Sequence, residues 1–252
     1  MYSTERFNGV AKEYSLGRPD YAIGLINLLF QQYGFSDSSI VADIGSGTGK
    51  FAKQLLDRGC SVIGVEPNDD MRCFAEKELY DYLKFESIAG NAENTMLADK
   101  SVDFITTAQA FHWFDTIRFK EECSRILKTD GKVFLIWNVR NEQSLINQEL
   151  CRLYSEYCPE FKGFSGGIKI HDERIKRFFD DDYEFFCFDN PLYFDRQKFI
   201  NRSLSGSYSL KKGDPSFDVY TEKINDIFDE FEKGGNVIVE NQTIVYAGTL
   251  QR

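Results

Sequence analysis

Histidine is scarce in this 252-residue chain, with two copies at 112 and 171. The six cysteines, at 60, 73, 123, 151, 158 and 187, form no CxxC pair and no Cys/His group of zinc spacing, which argues against a structural zinc module. No CxxxCxxC occurs either, so an iron–sulfur cluster is not expected. Reduced, partly buried thiols are the default, Cys187 inside "FFCFDN" among them. Thirty Lys and Arg stand against forty Asp and Glu, a formal charge of −10, and no compact basic cluster falls on a segment that reads as helix. Neither a nucleic-acid backbone nor an anionic membrane is the expected partner. The first residues show no basic leader before a long apolar region, and "YAIGLINLLF" is too short to span a bilayer, so a soluble, cytoplasmic protein is expected. Repeats, low-complexity tracts and linker-length Gly/Pro/Ser stretches are missing, which favours one domain over residues 1–252.

What is present is apolar and aromatic: 42% hydrophobic residues, 23 Phe and 13 Tyr, enough for a large core, with the phenylalanines filling that core or lining an apolar pocket. Strand patterns occur in "SSIVADIG", "CSVIGVEP", "YLKFESIAG", "SVDFITTAQ" and "GKVFLIWNV", each followed by a segment of helical character. In "GKFAKQLLDRG" Phe51, Leu55 and Leu56 share a face and Gly59 is the terminator. In "DTIRFKEECSRILKTDG" Asp115 is the N-cap, Phe119, Cys123, Ile126 and Leu127 share a face, and Gly131 ends the helix. Such crossovers make neighbouring strands parallel and predict an α/β, doubly wound domain. Past residue 140 come a helix in "NEQSLINQELCRLYSEYC", a loop around Pro159, "DYEFFCFDN", a polar segment around "NRSLSGSYS", a helix in "FDVYTEKINDIFDEFEKGG" and a closing strand in "QTIVYAGTL". Residues 1–20 and parts of 151–240 are expected to build a cap.

The densest signal is "VADIGSGTGKF", where Asp43, Gly45, Gly47 and Gly49 form DxGxGxG behind an apolar strand. A glycine turn from strand into helix lies at the carboxyl edge of such a sheet, where ligands bind, and glycine lets them approach the backbone. The dinucleotide fingerprint GxGxxG has its third glycine one position later. Glu66 closes the next strand about twenty residues on, where a carboxylate accepts both hydroxyls of a ribose. Asp43 suits a cation or an amine. An adenosine joined to an amino acid, rather than to a diphosphate, is the ligand this predicts.

From about Tyr14 to Trp137, through "YSLGRPDY", "VADIGSGTGKF", "VIGVEPNDDM", "AGNAENTMLADKSVDFITTAQAFHWFD" and "ILKTDGKVFLIW", the chain resembles the class I S-adenosylmethionine-dependent methyltransferases. Within them it resembles the type 11 small-molecule branch that includes the trans-aconitate methyltransferase-like proteins. The resemblance implies a mainly parallel seven-stranded sheet, a Rossmann-like methyltransferase fold with a helical cap, and S-adenosylmethionine as cofactor. It places Gly45 and Gly47 against the methionine part, Glu66 on the ribose, and Asn91 with Ala92 at the adenine, where the family often has Asp-Ala. Gln109 would lie beside the methionine moiety, and Tyr14 and Arg18 would close over its carboxylate. Plainer readings stand beside these: a surface salt bridge for Arg18, a solvated helix-entry carboxylate for Glu66, and a turn residue after Gly90 for Asn91.

Methyl transfer from a sulfonium is an in-line displacement and needs no covalent nucleophile. A carboxylate acceptor needs no general base; a hydroxyl or protonated amine does. His112 in "AQAFHWFD", with Asp115 near enough to orient it, is the one candidate base, or else a locally bonded residue of an aromatic corner with Trp113 and Phe114. Trp113 is expected to pack on cofactor or substrate, and His171 to lie on the surface. An (N/D)PP(Y/F) motif is missing after the fourth strand, which argues against nucleic-acid bases, and Asp115 alone does not make a magnesium site. The expected function is methyl transfer to a small molecule, a carboxylic acid among the candidates. The alternatives are a non-catalytic S-adenosylmethionine-binding regulatory protein and a nicotinamide-dependent oxidoreductase.

Overall fold

In the computed structural model, residues 19–164, 172–206 and 208–250 are described. Tyr14, Arg18 and His171 lie outside them. The strands predicted from apolar runs form where expected: β1 (Ile40–Ile44), β2 (Ser61–Val65), β3 (Phe85–Ile88), β4 (Val102–Ala108) and β5 (Leu127–Arg140). Together with β6 (Glu184–Asp189) and β9 (Asn241–Gly248) they make a seven-stranded sheet of order β3-β2-β1-β4-β5-β9-β6. The pairings β1–β2, β1–β4, β2–β3 and β4–β5 are parallel. All but the first residue of β1 are buried, as befits a strand covered on both faces. The chain winds outward from β1 through β2 to β3, then returns to add β4 on the other side of β1. The switch point of the sheet is therefore β1/β4, where open α/β folds bind ligands.

Helices α1 (Ile23–Gln32), α2 (Lys50–Leu56), α3 (Asp69–Glu78), α4 (Thr116–Ile126) and, after a break, α6 (Glu173–Phe178) accompany this sheet. Leu25 and Leu29 of α1 and Phe51 and Leu55 of α2 share one core with Val41, Phe134 and Ile136. Phe35 stacks on Phe104 at 4.0 Å and meets Phe134 edge-on. A second aromatic group joins Phe111, Phe119, Phe178 and Trp137. The phenylalanine excess thus goes largely into core packing, where each aromatic ring removes a large apolar area from water.

The helix expected to run to Gly131 ends at Ile126. Leu127, buried, already pairs with Val102; the register then shifts so that Phe104 faces Lys132, and Asp130 takes up the excess chain in the left-handed region at φ 67°. Cys187, expected in part-buried surroundings, is exposed, because the pleat of β6 turns it outward between Phe186 and Phe188.

Of the described residues, those within 138–169 and 189–242 form a compact unit of their own, beside a unit drawn from 1–137, 170–188 and 243–252. It contains α5 (Leu145–Tyr157), α7 (Arg196–Leu204), α8 (Phe217–Phe231) and the antiparallel pair β7 (Leu192–Asp195) and β8 (Asn236–Val239). Its core is built from Leu150, Tyr154, Phe199, Tyr220, Ile224, Phe228 and Val237. The polar segment around "NRSLSGSYS" begins inside α7, whose N-terminus is capped by Asp195 accepting from the Lys198 N–H at 2.8 Å. Among the described residues no helix is long and apolar enough to cross a membrane.

Candidate functional site

Between β1 and α2 the backbone takes left-handed φ at Gly45 (70°), Gly47 (55°) and Gly49 (76°), a region that side chains enter at a cost. The three glycines meet different surroundings. A Cβ on Gly45 would stand 2.6 Å from Ala110 Cβ, and one on Gly49 2.7 Å from Leu79 Cδ1. At Gly47 a Cβ would meet nothing within 4 Å among the described residues. Two of the glycines therefore serve close packing, and Gly47, just beyond the carboxyl end of β1, faces open space among the described residues. The turn is stitched to β2: the Gly45 and Ser46 N–H groups donate to the Val65 carbonyl at 2.8 and 3.3 Å, and the Gly47 N–H donates to Glu66 Oε2 at 2.9 Å.

Glu66 also accepts at Oε1 from the Asn68 N–H at 2.9 Å, while Asn68 caps α3 through the Met71 N–H. Burial pushes its carboxyl pKa upward, against the pull of those two backbone donors and of Arg72. A carboxylate has about four lone-pair sites, so two remain for further donors.

Asp43 lies below the turn, 1% exposed. Its neighbours in register are Gly64 on β2 and Thr106 on β4. The Thr106 hydroxyl donates to Oδ1 at 2.9 Å, and Oδ2 has no partner among the described residues. Burial, with Glu66 adding like charge, pushes its carboxyl pKa up to about 7 although the hydroxyl pulls it down. Thr106 is the partner of Asp43 that the sequence reading missed: a threonine in a strand shows its partner only once the β1–β4 register is known.

The other two edges close the group. Glu66 N–H donates to the Ile88 carbonyl at 3.1 Å, which brings the turn after β3 alongside. There Asn91 is exposed and Ala92 buried, and Asn91 Oδ1 accepts from the N–H groups of Glu93 (3.1 Å) and Asn94 (2.8 Å). Both lone pairs of that oxygen serve its own turn, the plainer of the two sequence readings. After β4, Gln109 is held at φ 60°, its N–H donating to the Ile136 carbonyl at 2.9 Å. A non-glycine residue held there at a strand end marks a place where the fold imposes a side-chain direction. The contact of Gly45 with Ala110 sets this segment directly against the glycine turn.

His112 and Trp113 follow in a short 3₁₀ turn, rings 4.7 Å apart, with Trp113 43% exposed. Asp115 is the N-cap of α4 as predicted, its Oδ1 accepting from the N–H groups of Ile117 and Arg118. That duty accounts for Asp115 without a link to His112. Among the described residues no group of three or more His, Cys, Asp or Glu is placed to hold a metal ion.

Residues 42–135 match the family described as "Methyltransferase domain". An uncharacterized methyltransferase-like protein of Schizosaccharomyces pombe is 30% identical over 157 residues, covering 60% of this chain and 59% of that protein. An uncharacterized methyltransferase of Mycobacterium tuberculosis is 34% identical over 137 residues, 54% of each chain. A probable S-adenosylmethionine-dependent methyltransferase of Saccharomyces cerevisiae is 30% identical over 155 residues, 60% of this chain and 52% of that one. The chain thus spans little more than half the length of the curated relatives it matches. Among solved structures, that of a putative type II methyltransferase from Anaeromyxobacter dehalogenans has a TM-score of 0.65 at 18% identity, covering 92% of this chain and 98% of that one. A putative methyltransferase from an antibiotic biosynthesis pathway of Anabaena variabilis has a TM-score of 0.55 at 20% identity, covering 90% and 97%. Both establish the fold.

Proposed function

We propose that the chain is an S-adenosylmethionine-dependent methyltransferase of class I, which binds S-adenosylmethionine at the β1/β4 switch point and transfers its methyl group to a small molecule; the match of residues 42–135 to the family described as "Methyltransferase domain" supports this reading. One pair of observations carries this reading: in the turn that follows β1, a Cβ on Gly47 would meet nothing within 4 Å among the described residues, and on β1 itself the buried acidic oxygen Asp43 Oδ2 has no partner among them. A neutral hydroxyl could donate to that oxygen but would not balance its charge, and a diphosphate would set negative charge against it. A ligand with an ammonium group and a backbone-hugging chain fits both features. The fit extends to Glu66, whose two spare lone-pair sites match the two hydroxyls of a ribose.

When bound, S-adenosylmethionine supplies an electrophilic methyl on a sulfonium whose charge vanishes on transfer. The residues of this chain then have a positioning task. Asp43 holds the amine, the N–H groups of the glycine turn line the amino-acid part, and Gln109 borders it from the β4 side. Because Asn91 Oδ1 is engaged within its turn, adenine contacts fall to the Ala92 backbone and the Asn91 amide hydrogens. Holding two reactants in near-attack geometry is worth roughly 7–11 kcal/mol in favourable cases. We assign the acceptor to the class of small carboxylic acids, as in the trans-aconitate methyltransferase-like branch. Such acceptors are nucleophilic without a general base, which agrees with an Asp115 committed to capping α4 rather than to activating His112.

The test is calorimetric titration with S-adenosylmethionine and S-adenosylhomocysteine, with Glu66→Ala alongside, followed by methyl-uptake assays on small acids. Micromolar binding that weakens at least tenfold in the variant supports the site. Absence of heat with either ligand, from folded and ligand-free protein, refutes it; tight binding with no uptake by any acceptor favours a regulatory binder instead.

A further inference from the structure

We propose that binding at this site is proton-coupled: the Asp43 carboxyl holds a proton in the ligand-free protein near neutral pH and releases it when the ligand's ammonium reaches Oδ2, and Thr106 is the positioning residue that reserves Oδ2 for that contact. The inference rests on the cofactor reading above and adds to it how the site's charge is managed.

The geometry requires a charge balance that the described residues do not provide by themselves. Asp43 is fully enclosed, with Gly64 of β2 and Thr106 of β4 on its two sides. The glycine turn above it carries no charged side chain. The charge that acts on it is that of Glu66 at the end of β2, which has its own sign. Among the described residues, Lys50 at the head of α2 pairs with Asp20 at 3.0 Å, and Arg72 on α3 pairs with Asp69 at 2.6 Å, donates to the Glu66 carbonyl at 3.1 Å and acts on the Glu66 carboxyl rather than on Asp43. Two buried acids that repel each other, with no cation acting on the more deeply buried one among the described residues, favour its neutral form. Accordingly the Asp43 carboxyl titrates at about 7 in the ligand-free protein. An ammonium at Oδ2 supplies the missing positive charge and reverses that preference. The step is a proton transfer only: the carboxyl O–H bond breaks, the proton passes to buffer, and an N–H···Oδ2 hydrogen bond takes its place with no change of oxidation state. Thr106 donates to Oδ1, which leaves Oδ2 as the oxygen that carries and then releases the proton.

The experiment is calorimetry at pH 6.5, where an α-amino group, with a pKa of about 7.7–8.0, stays protonated free and bound. Heats are compared in phosphate and in imidazole, buffers of different ionisation enthalpy. For S-adenosylmethionine and S-adenosylhomocysteine the proposal expects release of more than half a proton in the wild type and none in Asp43→Asn. Methylthioadenosine, which lacks the amino acid, is expected to bind without release. Thr106→Val removes the hydrogen bond that favours the charged carboxylate, so its proton release is expected to persist at higher pH than in the wild type. Binding with buffer-independent heat, or release that survives in Asp43→Asn, overturns the proposal while leaving the cofactor reading intact. No binding of either ligand overturns both.

Discussion

Asp43→Asn should gain stability relative to the wild type as pH rises in the ligand-free protein. In the fold the Asp43 carboxyl titrates at about 7, against 3.8 for an ordinary aspartate. Between those values the folded chain holds a proton that the unfolded chain has lost, and stability falls as pH rises whenever the folded state binds more protons. The contribution of Asp43 is most favourable below 3.8, declines through the window up to about 7, and is level above it. A rise of that size corresponds to about 4 kcal/mol in all, of which roughly 2–3 kcal/mol is lost between pH 5 and pH 8. Asparagine keeps the acceptor for Thr106 but never ionises, so its own cost, a buried amide hydrogen pair without an acceptor, is the same at every pH. The assay is urea unfolding of wild type and variant at pH 5 and pH 8. The gap between them should widen by about 2–3 kcal/mol at the higher pH, or roughly 5–10 °C in Tm for a chain of this size. An equal gap at both pH values would refute the reasoning, since it would mean that Asp43 is ionised in the fold throughout.

The glycines separate stability from binding. Gly45→Ala should lower stability by at least 2 kcal/mol in the same assay, because its Cβ would lie 2.6 Å from Ala110 Cβ in a left-handed residue. Gly47→Ala adds backbone strain of about 1–2 kcal/mol alone, yet should weaken S-adenosylhomocysteine at least tenfold by calorimetry. His112→Ala should reduce turnover with a carboxylic acid acceptor less than tenfold at constant cofactor affinity; a loss of about 10²–10⁴ would mark a general base. Tyr154→Phe should be neutral or stabilising by up to about 1 kcal/mol in urea, since the Tyr154 hydroxyl is buried without a hydrogen-bond partner among the described residues.

The central sheet was legible because parallel strands covered on both faces are written as short apolar runs, and "IVADI" or "VDFITTA" reads the same in any context. The end of α4 was not, because "LKTDG" continues the helical pattern through Leu127 while pairing of that residue with Val102 pulls it into β5. Tertiary pairing decides there against local preference. The short strands β7 and β8 escaped for a related reason: four residues carry little signal until an antiparallel partner is placed beside them, even where burial alternates as in β8. Site residues divide the same way. Asp43 and Glu66 announce themselves by position at strand ends, whereas Thr106 becomes meaningful only through a register, and Asn91 proves to be engaged by its own turn only once its two N–H donors are located.

The DxGxGxG pattern shows most clearly where spacing ends and geometry begins. In the sequence its three glycines are equivalent, and together they point to a ligand. In the fold Gly45 is required by Ala110 and Phe114, and Gly49 by Leu79 and Ala75, so both would be demanded by packing even in a protein that bound nothing. What remains after that subtraction is Gly47, whose left-handed backbone is bonded to Glu66 and whose missing side chain leaves space rather than a contact. A chain selected for stability alone gains nothing from that glycine, since an asparagine there would tolerate the same φ with fewer unfolded conformations to lose. Its presence in the turn that follows Asp43 is therefore the part of the motif that packing among the described residues does not explain, and it is there that substitution should cost binding out of proportion to stability.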